Sequence, residues 1–177
     1  MKQFNTKKLV LSSLFSALAC VCTMALTIPT PTGGYVHAGD CFVILSGVFL
    51  GPLTGGFAAG IGSMFSDIFL GYISYAPATF IIKFLAGFTV GLFSRAMHKY
   101  SSSTGYKTLL FIINGIISST IVVIGYFLYE WLLTNNLLTA AVSGIMGNVF
   151  QGIVSILLST LVYILLQKSH VHDILQQ

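Results

Sequence analysis

Long apolar runs dominate the chain, and short polar or Gly/Pro-rich stretches separate them. Several runs reach the roughly 20 helical residues that a bilayer core requires. None shows the strict alternation of a membrane barrel strand. The pattern predicts an all-α integral membrane protein, a single domain over residues 1–177. Six transmembrane helices are expected at about residues 8–28, 36–51, 53–70, 77–98, 107–132 and 138–167.

The second and third helices form a short, glycine-rich hairpin. Thirteen residues from Gly39 to Gly51 would rise only about 20 Å as a helix. Either the second helix begins earlier, near Val36, or the Gly51-Pro52 turn lies inside the membrane. Small residues recur every four positions in this stretch, which predicts close packing between helices.

Composition and charge agree with this topology. Hydrophobic residues make up 55% of the chain and charged residues only 7%, against about 25% charged in soluble domains. Seven of the eight Lys and Arg residues lie at the amino end, between helices four and five, or in the tail. This distribution places both termini in the cytoplasm and gives no sign of nucleic-acid binding. Cleavage of the first helix as a signal peptide would leave the other loops unchanged.

Three ionisable residues lie in apolar surroundings, namely Asp40, Asp67 and Lys83. In lipid such groups are costly unless they have a partner or a function. Asp67 and Lys83 either form an ion pair between helices three and four or reach a ligand in an outward-facing pocket. Asp40 follows a glycine at a helix start and suits either an N-cap or a ligand contact.

Aromatic and amide side chains share the external half with these charges. Tyrosines and a histidine in the external loops fit an aromatic belt at the membrane interface or a stacking platform for a flat ligand, and Glu130 beside Trp131 has the same two interpretations. Amides one turn apart in helix six suit bonds between helices or to a ligand. The substrate-binding candidates are Tyr35, His37, Asp40, Asp67, Tyr75, Lys83, Glu130, Asn148 and Gln151.

Motifs of catalysis are missing from the sequence. It contains no HExxH, no GxSxG and no GxxxxGK[ST] phosphate-binding loop. We therefore expect no catalytic residues, no cofactor and no metal site. Any ATP-driven step would need a nucleotide-binding part on another chain.

Residues 35–72 (YVHAGDCFVILSGVFLGPLTGGFAAGIGSMFSDIFLGY), 75–83 (YAPATFIIK) and 11–19 (LSSLFSALA) carry a family resemblance. The chain resembles the substrate-binding S component of an energy-coupling factor (ECF) transporter. The resemblance implies a multi-pass protein of the bacterial cell membrane that captures a vitamin outside. Its implied partners are a transmembrane T component and two cytoplasmic ATPases, on which it delivers the vitamin by toppling in the bilayer.

The resemblance also implies roles for particular residues. A small-residue AxxxA row on helix one docks the T component in this family, and the matching positions here are Ser13 and Ala17. The aromatic, acidic and amide groups suit a small polar heteroaromatic ligand, with pyridoxine or hydroxymethylpyrimidine first and riboflavin next. Two other functions compete, a self-sufficient small secondary transporter or channel and a membrane assembly protein. No internal repeat of the kind many transporters show supports the former.

Overall fold

A computed structural model describes residues 6–29, 35–97, 104–138 and 142–169. These residues contain six α-helices of 11 residues or more. Four of the helical segments, Thr6–Ala25, Ala76–Ala96, Gly105–Thr134 and Ile145–Lys168, are long and apolar enough to cross a membrane. In chain order the helices are α1 (Thr6–Ala25), α2 (Asp40–Leu50), α3 (Pro52–Phe69), α4 (Ala76–Met97), α5 (Thr104–Thr134) and α6 (Asn148–Lys168), with a π-helical turn at Val142–Gly147 before α6.

A two-stranded hairpin between α1 and α2 is the feature that the all-α prediction missed. β1 (Thr27–Pro29) pairs antiparallel with β2 (Tyr35–His37), and Thr27 lies opposite His37. The first helix was predicted to end at residue 28 and the second to begin at residue 36. Both predictions were wrong, because α1 ends at Ala25 and α2 begins at Asp40. Pro29 and the Pro and Gly residues that follow it disfavour helix, and Tyr-Val-His suits a strand.

The position of α2 explains why it is short. Its 11 residues span only about 16 Å. A Cβ added to Gly51, directly after α2, would lie 2.5 Å from Nη2 of Arg95 near the end of α4. At its other end, Asp40 lies at the level of Lys83, two turns into α4. The predicted start near Val36 is therefore wrong: α2 begins inside the bundle at Asp40, and the β-hairpin continues the chain outward. The alternative, a Gly51-Pro52 turn inside the membrane, stays a prediction.

Glycines bring α2, α3 and α4 into backbone contact. A Cβ at Gly55 would lie 2.5 Å from the Ser46 carbonyl oxygen and 2.7 Å from the Cα of Gly47. A Cβ at Gly47 would lie 2.5 Å from the carbonyl oxygen of Gly87. The close packing predicted for the hairpin is confirmed.

Small residues four apart form two rows on α1, Ser13 with Ala17 and Ser12 with Ser16 and Cys20, and the two rows face in different directions. Ser16 packs against Gly62 of α3, and Cys20 is buried. Ser13 and Ala17 are exposed on the outer face of the bundle. One row therefore serves packing within this chain, whereas the other remains open to a neighbour.

Candidate functional site

A polar cleft opens at the end of the bundle formed by β2, the α3–α4 loop, the end of α5 and the start of α6. Tyrosine rings form much of its wall. The ring centroids of Tyr35 and Tyr72 are 4.7 Å apart, and those of Tyr72 and Tyr75 are 6.3 Å apart. The cavity volume open to the centre of a water molecule is about 40 Å³. The cleft thus presents aromatic faces and polar groups at one end of an otherwise apolar bundle.

Two carboxylates of the cleft each accept a hydrogen bond from a tyrosine. The Tyr35 hydroxyl donates to Oδ1 of Asp67, and the Tyr75 hydroxyl donates to Oε1 of Glu130 at 3.3 Å. The pKa values of Tyr35 and Tyr75 are raised above the usual range. Burial is the larger cause, and the charge of the neighbouring carboxylate is the next. Both hydroxyls therefore stay protonated at neutral pH and act as donors.

Beneath the cleft lies a buried ion pair between α4 and α2. Nζ of Lys83 is 2.5 Å from Oδ1 of Asp40, and Lys83 has no exposed surface. The amide of Gln151 donates to the other Asp40 oxygen at 2.8 Å. The ammonium also lies 5.2 Å from the ring centroid of Tyr126, a favourable cation–π distance. One charge pair thereby joins α2, α4, α5 and α6.

This pairing corrects two sequence-based interpretations. Lys83 forms its ion pair with Asp40, not with Asp67. Asp40 is not an N-cap either, because Gly39 occupies that position and no side chain bonds the free amides there. A carboxylate in the first turn of a helix is still favourable to the helix dipole.

His37 connects the β-hairpin with the ion-pair network. Its backbone N–H donates to Oε1 of Gln151 at 3.0 Å, and its Nδ1 accepts from the N–H of Gly39 at 3.0 Å. The hydroxyl of Thr23 on α1 lies 3.3 Å from the same nitrogen. Burial lowers the pKa of His37 to about 4. The ring is therefore neutral at pH 7, with Nδ1 as an acceptor.

The cleft brings together seven of the nine candidate residues, and the other two, Asp40 and Lys83, lie beneath it. The seven are Tyr35, His37, Asp67, Tyr75, Glu130, Asn148 and Gln151. Their contact with a ligand remains a prediction.

Sequence reasoning left Thr79 and Tyr126 out of the site, although both line the cleft. Their hydroxyls are 2.7 Å apart and join α4 to α5. Each lies one helical turn from a residue that was chosen: Thr79 precedes Lys83 by four positions, and Tyr126 precedes Glu130 by four. Residues four apart share a helix face, and this spacing could have identified both.

These features define a multi-pass membrane protein with an aromatic and acidic site at one end of a helical bundle. The family model described as ECF-type riboflavin transporter, S component, matches residues 3–168, and the chain belongs to this family. The description of this family is that of a transporter component. A Pyrococcus woesei protein described as an uncharacterized protein in the gap 3′ region is 38% identical over 107 residues. The match covers 60% of this chain and 66% of that protein.

Proposed function

We propose that this chain captures a flat, water-soluble heteroaromatic vitamin in the external cleft and delivers it across the cell membrane. Its partners are a T component and two cytoplasmic ATPases, and delivery proceeds by toppling of the loaded bundle. The observation that carries the proposal is the cleft itself: the rings of Tyr35, Tyr72 and Tyr75 stand beside two carboxylates. Ring faces bind flat ligands, and the polar groups would fix their orientation.

Riboflavin is the first ligand to test, because the description of the matching family names it. A second candidate is a single-ring vitamin such as pyridoxine or hydroxymethylpyrimidine. The size of the cleft favours the second, since about 40 Å³ holds only a few water molecules at roughly 10–15 Å³ each. A three-ring ligand would require the tyrosine rings to move outward.

The proposed topology has six membrane crossings and cytoplasmic ends. Basic residues support it, because those within the described helices, apart from the buried Lys83, lie at the start of α1, the end of α4, the start of α5 and the end of α6. In an up-and-down bundle these ends meet on the side away from the cleft. The positive-inside rule then assigns the cleft to the outside.

The experiment that tests this function is thermal stabilisation of the detergent-purified protein by a panel of vitamins. A ligand that binds only the folded state stabilises by about 2.7 kcal/mol at 100 times its Kd. We expect riboflavin or a single-ring vitamin to raise the melting temperature. No shift with any vitamin, combined with uptake by the chain alone in liposomes, would instead favour a self-sufficient transporter.

The exposed Ser13 and Ala17 row is the proposed docking face for the T component, because small residues let helix backbones approach closely. Ala17→Trp should abolish co-purification with a co-expressed T component and ATPases while vitamin binding is retained. The control is Leu157→Trp on α6, where the side chain is 67% exposed. This variant should still co-purify with the T component and the ATPases. Assembly that survives Ala17→Trp would refute this docking face.

A further inference from the structure

One oxygen of Asp67 has an unusual environment. Only 2% of the residue is exposed, and it lines the cleft. Oδ1 accepts from Tyr35, whereas Oδ2 accepts no hydrogen bond within the described part of the chain. The Thr79 hydroxyl also lies beside this carboxyl group, and it is 2.7 Å from the hydroxyl of Tyr126. A buried carboxylate oxygen without a donor is costly, and this one borders the cavity where a ligand would supply a donor.

The charge of the cleft points the same way. Two carboxylates, Asp67 and Glu130, line it, and no Lys or Arg is among its lining residues. The nearby cation, Lys83, is fully buried and is paired with Asp40. His37 adds no positive charge at pH 7, because burial keeps its ring neutral. The described wall of the cleft is therefore acidic and lacks a group that could neutralise an anion.

We propose that the cleft selects the form of its ligand that carries hydrogen-bond donors and no negative charge. Asp67 Oδ2 is the acceptor that favours a ligand donor and disfavours a ligand anion. The inference rests on the proposed function and specifies the substrate class of that site. An N–H or O–H of the ligand completes the hydrogen bonding of Oδ2. A phosphate or carboxylate group brings charge of the same sign into a site of low dielectric, where repulsion is strong.

The test compares each vitamin with its phosphate ester on the same purified protein. Isothermal titration would measure riboflavin against riboflavin 5′-phosphate and pyridoxine against pyridoxine 5′-phosphate. We expect the uncharged form of the bound vitamin to be tighter by about 30-fold or more, which corresponds to roughly 2 kcal/mol. Asp67→Asn replaces the carboxylate with an amide and should weaken binding of the uncharged form by about tenfold. It should also lower the ratio of the affinities for the vitamin and for its phosphate ester.

Asn114→Ala is the matched control. Asn114 is also buried, at 3% exposure, and its Oδ1 likewise has no partner within the described residues. It bonds Ser94 through Nδ2 at 3.2 Å, away from the cleft lining. We expect this variant to keep the wild-type ratio, because it changes a buried polar group without changing the acidity of the site.

The outcomes separate this inference from the proposed function. Equal binding of a vitamin and its phosphate ester, or a ratio unaffected by Asp67→Asn, would overturn the inference and leave vitamin capture standing. Binding of neither form of any vitamin would overturn both. If Asp67→Asn does not fold, Glu130→Gln should lower the preference for the uncharged form, because it removes the second negative charge of the cleft.

Discussion

The two halves of α4 pack against the same bundle with different chemistry. In the external half, Thr79 and Lys83 reach their neighbours through side-chain atoms, a hydroxyl pair at 2.7 Å and an ion pair at 2.5 Å. In the other half, Gly87 and Gly91 have no side chain, and the backbones of α2 and α3 lie directly against them. The first arrangement leaves a cleft between side chains, whereas the second leaves no room for a Cβ atom at Gly91 and little at Gly87.

This difference separates the site from its scaffold. Side-chain contacts that border the cleft, such as that of Thr79, can be exchanged for contacts with a ligand, because rotamers change at modest cost. The buried Lys83–Asp40 pair lies beneath them and supports the cleft. Backbone contacts at glycine cannot adapt, since any Cβ there meets main-chain atoms. We therefore assign ligand recognition to the external half and rigid support to the glycine-packed half. The following variants test that division, from the largest expected effect to the smallest.

Lys83→Met should destabilise the protein most. It leaves the Asp40 carboxylate buried without its cation, a loss that costs about 3–5 kcal/mol in proteins. The double variant Asp40→Asn with Lys83→Met removes both charges and should recover most of that loss. Thermal unfolding in detergent measures both. If Lys83→Met proved as stable as the wild type, the Lys83–Asp40 ion pair would not stabilise the bundle beneath the cleft.

Gly55→Val should cost about 1–3 kcal/mol through overpacking. The added Cβ would meet the Ser46 carbonyl oxygen and the Gly47 Cα, and neither can rotate away. The control is Gly105→Ala on α5, where a Cβ would meet nothing within 4 Å. That change should stay within about 0.5 kcal/mol of the wild type. Equal melting temperatures for the two variants would refute the rigid-scaffold assignment.

The sequence predicted the helical membrane fold and most of the cleft, since burial of polar residues in apolar helices signals a site. It could not predict the partner of Lys83. Apolar periodicity places Asp67 and Lys83 at similar depths but does not give their directions around the helix axes. The choice depends on where α2 begins, and the β-hairpin determines that. Gln151 shows the same limit, because its amide bonds both Asp40 and His37 rather than one partner.

His37 predicts a smaller, pH-dependent effect. Its pKa is about 4 in the folded protein, against 6.5 for the ordinary residue. Between these values the unfolded chain binds the extra proton, so stability is complete above pH 6.5 and falls as the pH drops toward 4. The slope is about 1.4 kcal/mol per pH unit.

The measurement is the melting temperature from pH 7 to pH 5, compared between wild type and His37→Asn. The variant should show a flatter profile in that window, because no buried imidazole remains to be protonated opposite the Gly39 N–H. An unchanged slope in His37→Asn would refute this role of His37.

The central claim is that the vitamin binds in the cleft, and the most direct test is a vitamin titration of Asn148→Trp beside Leu157→Trp. Both lie on α6, but Asn148 lines the cleft and Leu157 is 67% exposed on the outside. An indole at position 148 would fill the cavity of about 40 Å³. The account predicts that Asn148→Trp folds and loses binding of the vitamin that stabilises the wild type, whereas Leu157→Trp binds it normally. Undiminished binding by folded Asn148→Trp would contradict it.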